Sequence, residues 1–315
     1  MARSPNQRHL HQIRRRSQLA VQAIIGTTGH AMRQTTAKQA LRPAPSKPFL
    51  RWAGGKQRLS ASLVKFVPSR ASYKRYFEPF FGGGALFFAT RPRQAVLGDV
   101  NQDLINCYKR VRNMPNEVSR LVDKYADSDS ESFFYRIRDQ AAGAPSSLER
   151  AAIFIYLNKA AFNGIYRVNR MGVFNVPYGP SSNGPAIPSR EALQTAAHSL
   201  KRATILSGDF EDIVATASRG DFVYLDPPYP PRSDTAYFAH YSADRFSWDE
   251  QERVARVFKK LASRGCFVML SNADQKKVVS LYSNFHIHRL KAIRWLGSNG
   301  DRFRVREIVV TNYLT

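Results

Sequence analysis

Residues Phe222–Tyr229 read FVYLDPPY: an apolar, β-prone run, then a carboxylate, two prolines and a tyrosine. The first half has the composition of a buried strand. Proline gives no amide to a ladder and fixes φ, so the strand must stop at Asp226. Ligands of open α/β sheets sit beyond the carboxyl ends of the strands, which is where this tetrapeptide falls. Each proline also removes a donor, so the carbonyls there should project as unopposed acceptors. Asp226 and the Pro227 carbonyl then offer two acceptors side by side, and Tyr229 offers an aromatic face. That set suits a stacked planar base bearing an exocyclic amino group; the alternative is a strand terminus with an Asx–Pro turn.

Working outward, strands and helices alternate from Phe49. Residues 75–78 form a short strand running into a glycine turn, and AVLGD (95–99) ends on Asp99. TILSGD (204–209) and CFVMLSN (266–272) are further strands, separated by helical stretches such as WDEQERVARVFKKLA (248–262). HIHRLKAIRWLG (286–297) and VREIVVTNY (305–313) alternate like a terminal antiparallel hairpin. The expected fold class is therefore α/β, a doubly wound sheet. Residues 101–200 break the alternation and read as an insert. In it a capping box, Ser146 with Glu149, opens the helix LERAAIFIYLNKAAF, which stops at Asn163–Gly164. IYRVN (165–169) and VFNVPY (173–178) then flank Arg170–Met171–Gly172, the pattern of a β-hairpin. The sheet would thus be built from 48–100 and 201–315.

Charge narrows the partner. The 315 residues carry 48 Lys+Arg against 24 Asp+Glu, a net +24, which implies a polyanion. No stretch of ~20 apolar residues exists to span a membrane. The first acidic residue is Glu78, and Arg14–Arg15–Arg16 lies upstream. Residues 1–47 read as a basic disordered tail, with a transit peptide or a start at Met32 as alternatives. Cys107 and Cys266 are far apart and show no metal spacing, and Cys266 sits in an apolar run, as a core residue would. His286 and His288 share a strand face as solvated positions, so no metal site is expected.

EPFFGGGAL (78–86) follows a strand and opens a helix. Its glycines allow a tight turn and close approach to a ligand. It is neither the dinucleotide fingerprint, since Phe87 replaces the third glycine, nor a phosphate loop, since no GK[ST] follows. Asp99, one strand away, is placed to accept from a ribose diol. The pair favours an adenosyl ligand without a pyrophosphate, against a plain structural turn.

Together FLRWAGGK (49–56), EPFFGGGAL, LNKAAFNGIYRVNRMGVFNVPYG (157–179) and LDPPY resemble the bacterial DNA adenine-N6 methyltransferases. The order is cofactor motif, target-recognition insert, DPPY, as in the branch that includes the solitary methylase marking GATC. The resemblance implies a Rossmann-like methyltransferase sheet for 48–100 and 201–315, with 101–200 as a DNA target-recognition domain. It implies methyl transfer from S-adenosylmethionine to N6 of an adenine flipped from duplex DNA, with no metal. Trp52, Lys56, Gly82, Gly84, Asp99, Phe210 and Asp226 would hold the cofactor. Asp226, Pro227 and Tyr229 would take the target adenine. Arg167 would read a base, Arg51 would touch flanking bases, and Phe162, Asn163 and Ile165 would fill the gap left by the flipped base. Strand period puts Ile165, Arg167 and Asn169 on one face, where Arg suits guanine and Asn adenine. A monomeric bacterial protein of the cytoplasm and nucleoid is implied, with a cognate restriction endonuclease left open. Alternatives are an N4-cytosine methyltransferase, which more often carries Ser-Pro-Pro-Tyr, and an inactive DNA-binding relative.

Overall fold

In the computed structural model the described residues are 47–143, 146–169, 171–230, 246–295 and 302–315. The expected tail, apart from Lys47, and Arg170 at the hairpin tip lie outside them.

The strands are β1 (Tyr76–Glu78), β2 (Ala95–Asp99), β3 (Ala203–Ser207), β4 (Phe222–Leu225), β5 (Phe267–Ala273), β6 (His286–Trp295) and β7 (Arg302–Thr311). They form one sheet in the order β3-β2-β1-β4-β5-β7-β6. The first five are parallel, and β7 runs antiparallel between β5 and β6. The order reverses between β1 and β4, so connections leaving their carboxyl ends diverge and open a crevice there.

Strand β4 is buried on both faces, as its unbroken apolar run requires. Val223 and Leu225 pack with Phe77 against Val254, Phe258 and Leu261 of a helix, α9 (Trp248–Ser263). Phe222 and Tyr224 point the other way, into a layer with Tyr76, Leu97, Tyr108 and Tyr156. Burying one such side chain stabilises by roughly 1.5–3 kcal/mol, so β4 is a firmly held support. Ser247 caps α9 by accepting from the Glu250 amide, and Asp249 and Glu250 sit in its first turn, where the helix dipole favours acids.

The short helices α1 (Ser60–Leu63) and α2 (Ala85–Thr90) flank β1 in sequence. The insert contributes α3 (Gln102–Asn113), α4 (Pro115–Asp127), α5 (Glu131–Gln140), α6 (Ser147–Ala160) and α7 (Arg190–Leu200). Helix α6 is the capping-box helix: Ser146 Oγ accepts from the Glu149 amide at 3.2 Å. Nearly every residue from Ala151 to Ala160 is buried, because α6 is packed against α3 and α4 within a shared apolar core. The insert therefore shares its apolar core with β1 and β2 and is no detached body. Asn158, the buried polar residue of α6, accepts from the Arg51 amide at 2.9 Å and donates to the Arg51 carbonyl at 2.7 Å. This two-point clamp ties the segment before Trp52 to the insert.

Candidate active site

A cavity of about 680 Å³ opens beyond the carboxyl ends of β1, β2 and β4. Trp52, Lys56, Gly82, Gly84, Asp99, Phe210, Asp226, Pro227 and Tyr229 all line it. Residues 177 positions apart in sequence, Trp52 and Tyr229, are brought to one space by the strand reversal.

The glycine turn has Gly82 at φ 45° and Gly84 at φ 66°, the left-handed region that side chains disfavour. A Cβ on Gly82 would stand 2.6 Å from Trp52 Cδ1, and one on Gly84 would stand 2.6 Å from Phe81 Cζ. At both positions the close neighbour is an aromatic ring of the protein itself, so the glycines make room for Trp52 and Phe81 as well as for a ligand. Asp99 accepts from the Gly82 amide at 2.9 Å and from the Asn101 amide at 3.0 Å, one to each oxygen. Burial pushes its carboxyl up from the ordinary value and those amides pull it back. Each oxygen keeps a lone pair for a further donor.

The end of β4 is held from several sides. Lys56 Nζ stands 2.7 Å from Asp226 Oδ1, donates to the Gly54 carbonyl at 3.1 Å, and lies 4.5 Å from the Tyr229 ring centroid. Ser271 of β5 donates to Asp226 Oδ1 at 2.7 Å and exchanges a 2.7 Å hydrogen bond with Tyr224. Burial raises the Asp226 carboxyl above the ordinary carboxylate range, and the Lys56 ammonium opposes that. Tyr229 donates to Glu307 of β7 at 2.8 Å, and burial pushes its phenol far up, so it is a neutral ring. Glu78 at the end of β1 accepts from Tyr76 at 2.7 Å; burial, the dominant effect, holds its carboxyl well above the ordinary range. One expectation is corrected here: the Pro228 carbonyl is opposed, accepting from Gln251 Nε2 at 2.7 Å. No described hydrogen bond ends on the Pro227 carbonyl.

Phe210 stacks on Phe80 with centroids 5.0 Å apart, and the Arg253 guanidinium covers it at 4.4 Å. Arg253 also pairs with Asp209, Glu211 and Glu250. Phe80, Asp209, Arg253, Ser271 and Glu307 were missed by sequence reasoning. Phe80 and Asp209 lie within stretches already singled out, and Ser271 and Asn272 stand near the end of strand β5, but Glu307 carries no local signal.

The residues expected at DNA lie apart. Arg51, Phe162 and Asn163 border a second cavity of about 370 Å³ together with Lys159. Burial, with the Arg51 charge adding to it, lowers Lys159 to about 8. Phe162 and Ile165 are exposed apolar residues, 43% and 40% accessible. Arg167 is exposed, its Nε donating to Asn175 Oδ1 at 2.9 Å. The hairpin closes through the Val168–Phe174 bridge and the Asn169 amide on the Val173 carbonyl at 2.8 Å. Asn169 Oδ1 accepts from the Met171 and Val173 amides at 2.9 and 3.0 Å, so this oxygen shapes the turn and cannot also complete a two-point contact with a base. Tyr166 faces inward and stacks on Trp52 at 5.2 Å, joining the hairpin to the large cavity.

A sheet of this order, with a glycine turn and a DPPY turn facing one cavity, defines the class: a Rossmann-like methyltransferase fold. Residues 52–296 match the family model for D12 class N6 adenine-specific DNA methyltransferases, and the chain belongs to that family. It is 40% identical over 274 residues to "Type II methyltransferase M1.LlaDCHI" of Lactococcus lactis subsp. cremoris, covering 85% of this chain and 95% of that one. It is 37% identical over 287 residues to "Type II methyltransferase M.MjaIII" of Methanocaldococcus jannaschii, covering 85% and 99%. A "DNA adenine methylase" of Vibrio cholerae is 33% identical over 265 residues, covering 83% and 94%. Among the described residues no helix is long and apolar enough to cross a membrane.

Proposed function

We propose that the large cavity takes S-adenosylmethionine at the Gly82 turn and a flipped adenine at Asp226–Tyr229, and that the methylated adenine lies in GATC. The observation that carries this reading is the Asp226 carboxylate, fixed between Lys56 and Ser271 beside the Tyr229 ring.

The residues present fit the donor. Asp99 retains acceptor capacity for a ribose diol, the Phe80–Phe210 pair offers an aromatic wall for an adenine ring, and the Asp226 carboxyl suits a cationic sulfonium. Trp52 and Lys56 complete the wall. S-adenosylmethionine supplies an electrophilic methyl group.

Tyr229 stacks on the extruded base, whose removal from the duplex costs a few kcal/mol. Asp226 and the Pro227 carbonyl accept the two amino hydrogens. Adenine N6 is a poor nucleophile because its lone pair is spread into the ring. Holding both hydrogens in fixed directions favours a pyramidal nitrogen with a localised pair. Asp226 then stabilises the positive charge that develops on N6.

Duplex DNA is bound through phosphates by the basic surface, and the hairpin enters the major groove. Arg167 reads guanine, Arg51 contacts flanking bases, and Phe162, Asn163 and Ile165 occupy the vacated gap. The GATC assignment rests on the hairpin's resemblance to the solitary GATC methylases. Two relatives named type II methyltransferases support a cognate endonuclease as a functional partner. The protein would act as a monomer on the nucleoid, in the cytoplasm.

The test is expression in a host lacking adenine methylation, followed by single-molecule sequencing. N6-methyladenine in GATC is expected from the native chain and none from Asp226→Ala, which still retards duplex DNA. Marks on cytosine, no marks, or near-native marking by the variant would overturn the reading.

A further inference from the structure

The hydrogen bond on the Pro228 carbonyl has a fixed direction. It comes from Gln251, in the first turns of α9, a fully buried amide on a helix face otherwise made of Val254, Ala255 and Phe258. A polar side chain left unsatisfied there would cost about 1–3 kcal/mol. Both of its ends are satisfied. Gln251 Oε1 accepts from Asn272 Nδ2 at 2.9 Å, and Asn272, also fully buried, accepts on Oδ1 from the Ala273 amide at 2.8 Å. The Ala273 N–H can only donate and the Pro228 carbonyl can only accept. Every amide between them is therefore set in one orientation, since a flip of either would oppose like poles.

We propose that Asn272 and Gln251 are positioning residues: a buried polar relay that fixes which proline carbonyl of the Asp226–Tyr229 turn meets the adenine amino group. This rests on the functional reading above and deepens it. Proline locks φ at both positions, so ψ is the soft torsion left at each. The relay anchors the second carbonyl away from the base, while Ser271, the neighbour of Asn272, anchors Asp226 at 2.7 Å. Successive residues of a strand face opposite sides. One strand end thus secures the carboxylate with one residue and the second proline with the next, leaving the Pro227 carbonyl as the acceptor beside Asp226.

Two near-isosteric variants test this. Gln251→Met removes the donor but suits the apolar surroundings. Asn272→Asp leaves Gln251 in place and reverses the polarity of the relay. Turnover is measured with radiolabelled S-adenosylmethionine on a duplex containing the methylated site, with melting temperature recorded for each protein. Each variant is expected to lower kcat at least about tenfold, with KM for both substrates within about twofold of native. The double variant should be no slower than the slower single, because one relay is broken in each case. Native kcat in both singles, a loss confined to KM, or a fall in kcat that only follows the fraction folded would overturn the relay alone. A native protein that leaves adenine unmethylated would overturn the functional reading and the relay with it.

Discussion

Replacing Lys56 by methionine keeps a chain of similar length and removes the cation beside Asp226. The pair is 2.7 Å apart, with the two side chains only 5% and 16% exposed. At an effective dielectric near 20 their attraction is about 6 kcal/mol. Stripping one partner from such a buried pair costs about 3–5 kcal/mol when the other charge stays behind. Asp226 has a way out, because a proton neutralises it. Burial already raises this carboxyl, and Lys56 is the main opposing influence. Without it, 3 kcal/mol alone shifts the balance toward the protonated form by more than about a hundredfold relative to the native protein, at ~1.4 kcal/mol per factor of ten. A protonated Asp226 donates where it should accept. Activity is lost as pH falls through the carboxyl's pKa, so in Lys56→Met the acid limb of the kcat profile moves to higher pH. The limb should move by about two pH units, so at the native midpoint kcat should drop at least about tenfold, and raising the pH should restore it. The assay is single-turnover methylation of a duplex oligonucleotide from pH 6 to 9 at saturating methyl donor. An acid limb that superimposes on the native one, or no recovery in alkali, would refute the reasoning.

Other perturbations follow from the same geometry. Gly82→Ala forces a left-handed alanine, costing about 1–2 kcal/mol, and drives a methyl group into the Trp52 indole. Calorimetry should show donor affinity at least about tenfold weaker, and DNA affinity should fall too, because Trp52 carries Tyr166. Arg167→Ala should cost on the order of 1–3 kcal/mol on the cognate duplex and relax preference at one base pair, read by competition binding at fixed salt. Glu78→Gln should flatten the pH dependence of the melting temperature. The native fold holds a proton on this buried carboxyl that the unfolded chain gives up above pH 4.5, so native stability declines with rising pH from there and the variant's declines less.

The parts of this molecule that local spacing controls could be read from sequence. An apolar run with two following prolines located the end of β4, and Ser146 with Glu149 located the start of α6, because both depend on groups within a few residues of each other. The site residues drawn from motifs meet in one cavity for a topological reason, the reversal of strand order between β1 and β4. What stayed hidden depends on distant partners. Glu307 bonds Tyr229 across 78 residues, and Asn158 clamps Arg51 across 107. Gln251 sits in a helix whose sequence shows only amphipathicity, and its role exists only because β5 ends beside it. Asn169 illustrates the opposite failure: strand periodicity put it on an exposed face, but a short polar side chain at a hairpin tip turned back to its own backbone, as such residues do.

Charge is in surplus over the molecule as a whole and compensated in its cavity. The chain as a whole carries +24, yet the acids lining the large cavity are largely answered within it: Lys56 meets Asp226, Arg253 meets Asp209 and Glu250, and burial favours the protonated form of Glu78. A polyanion drawn to the surface therefore meets cations at this site, Lys56 and Arg253, that are already paired with carboxylates. The site offers a phosphodiester little attraction, while an uncharged base edge carrying N–H donors finds acceptors. Docking draws on long-range charge and insertion on short-range contacts, so ionic strength acts on the first and leaves the second nearly untouched.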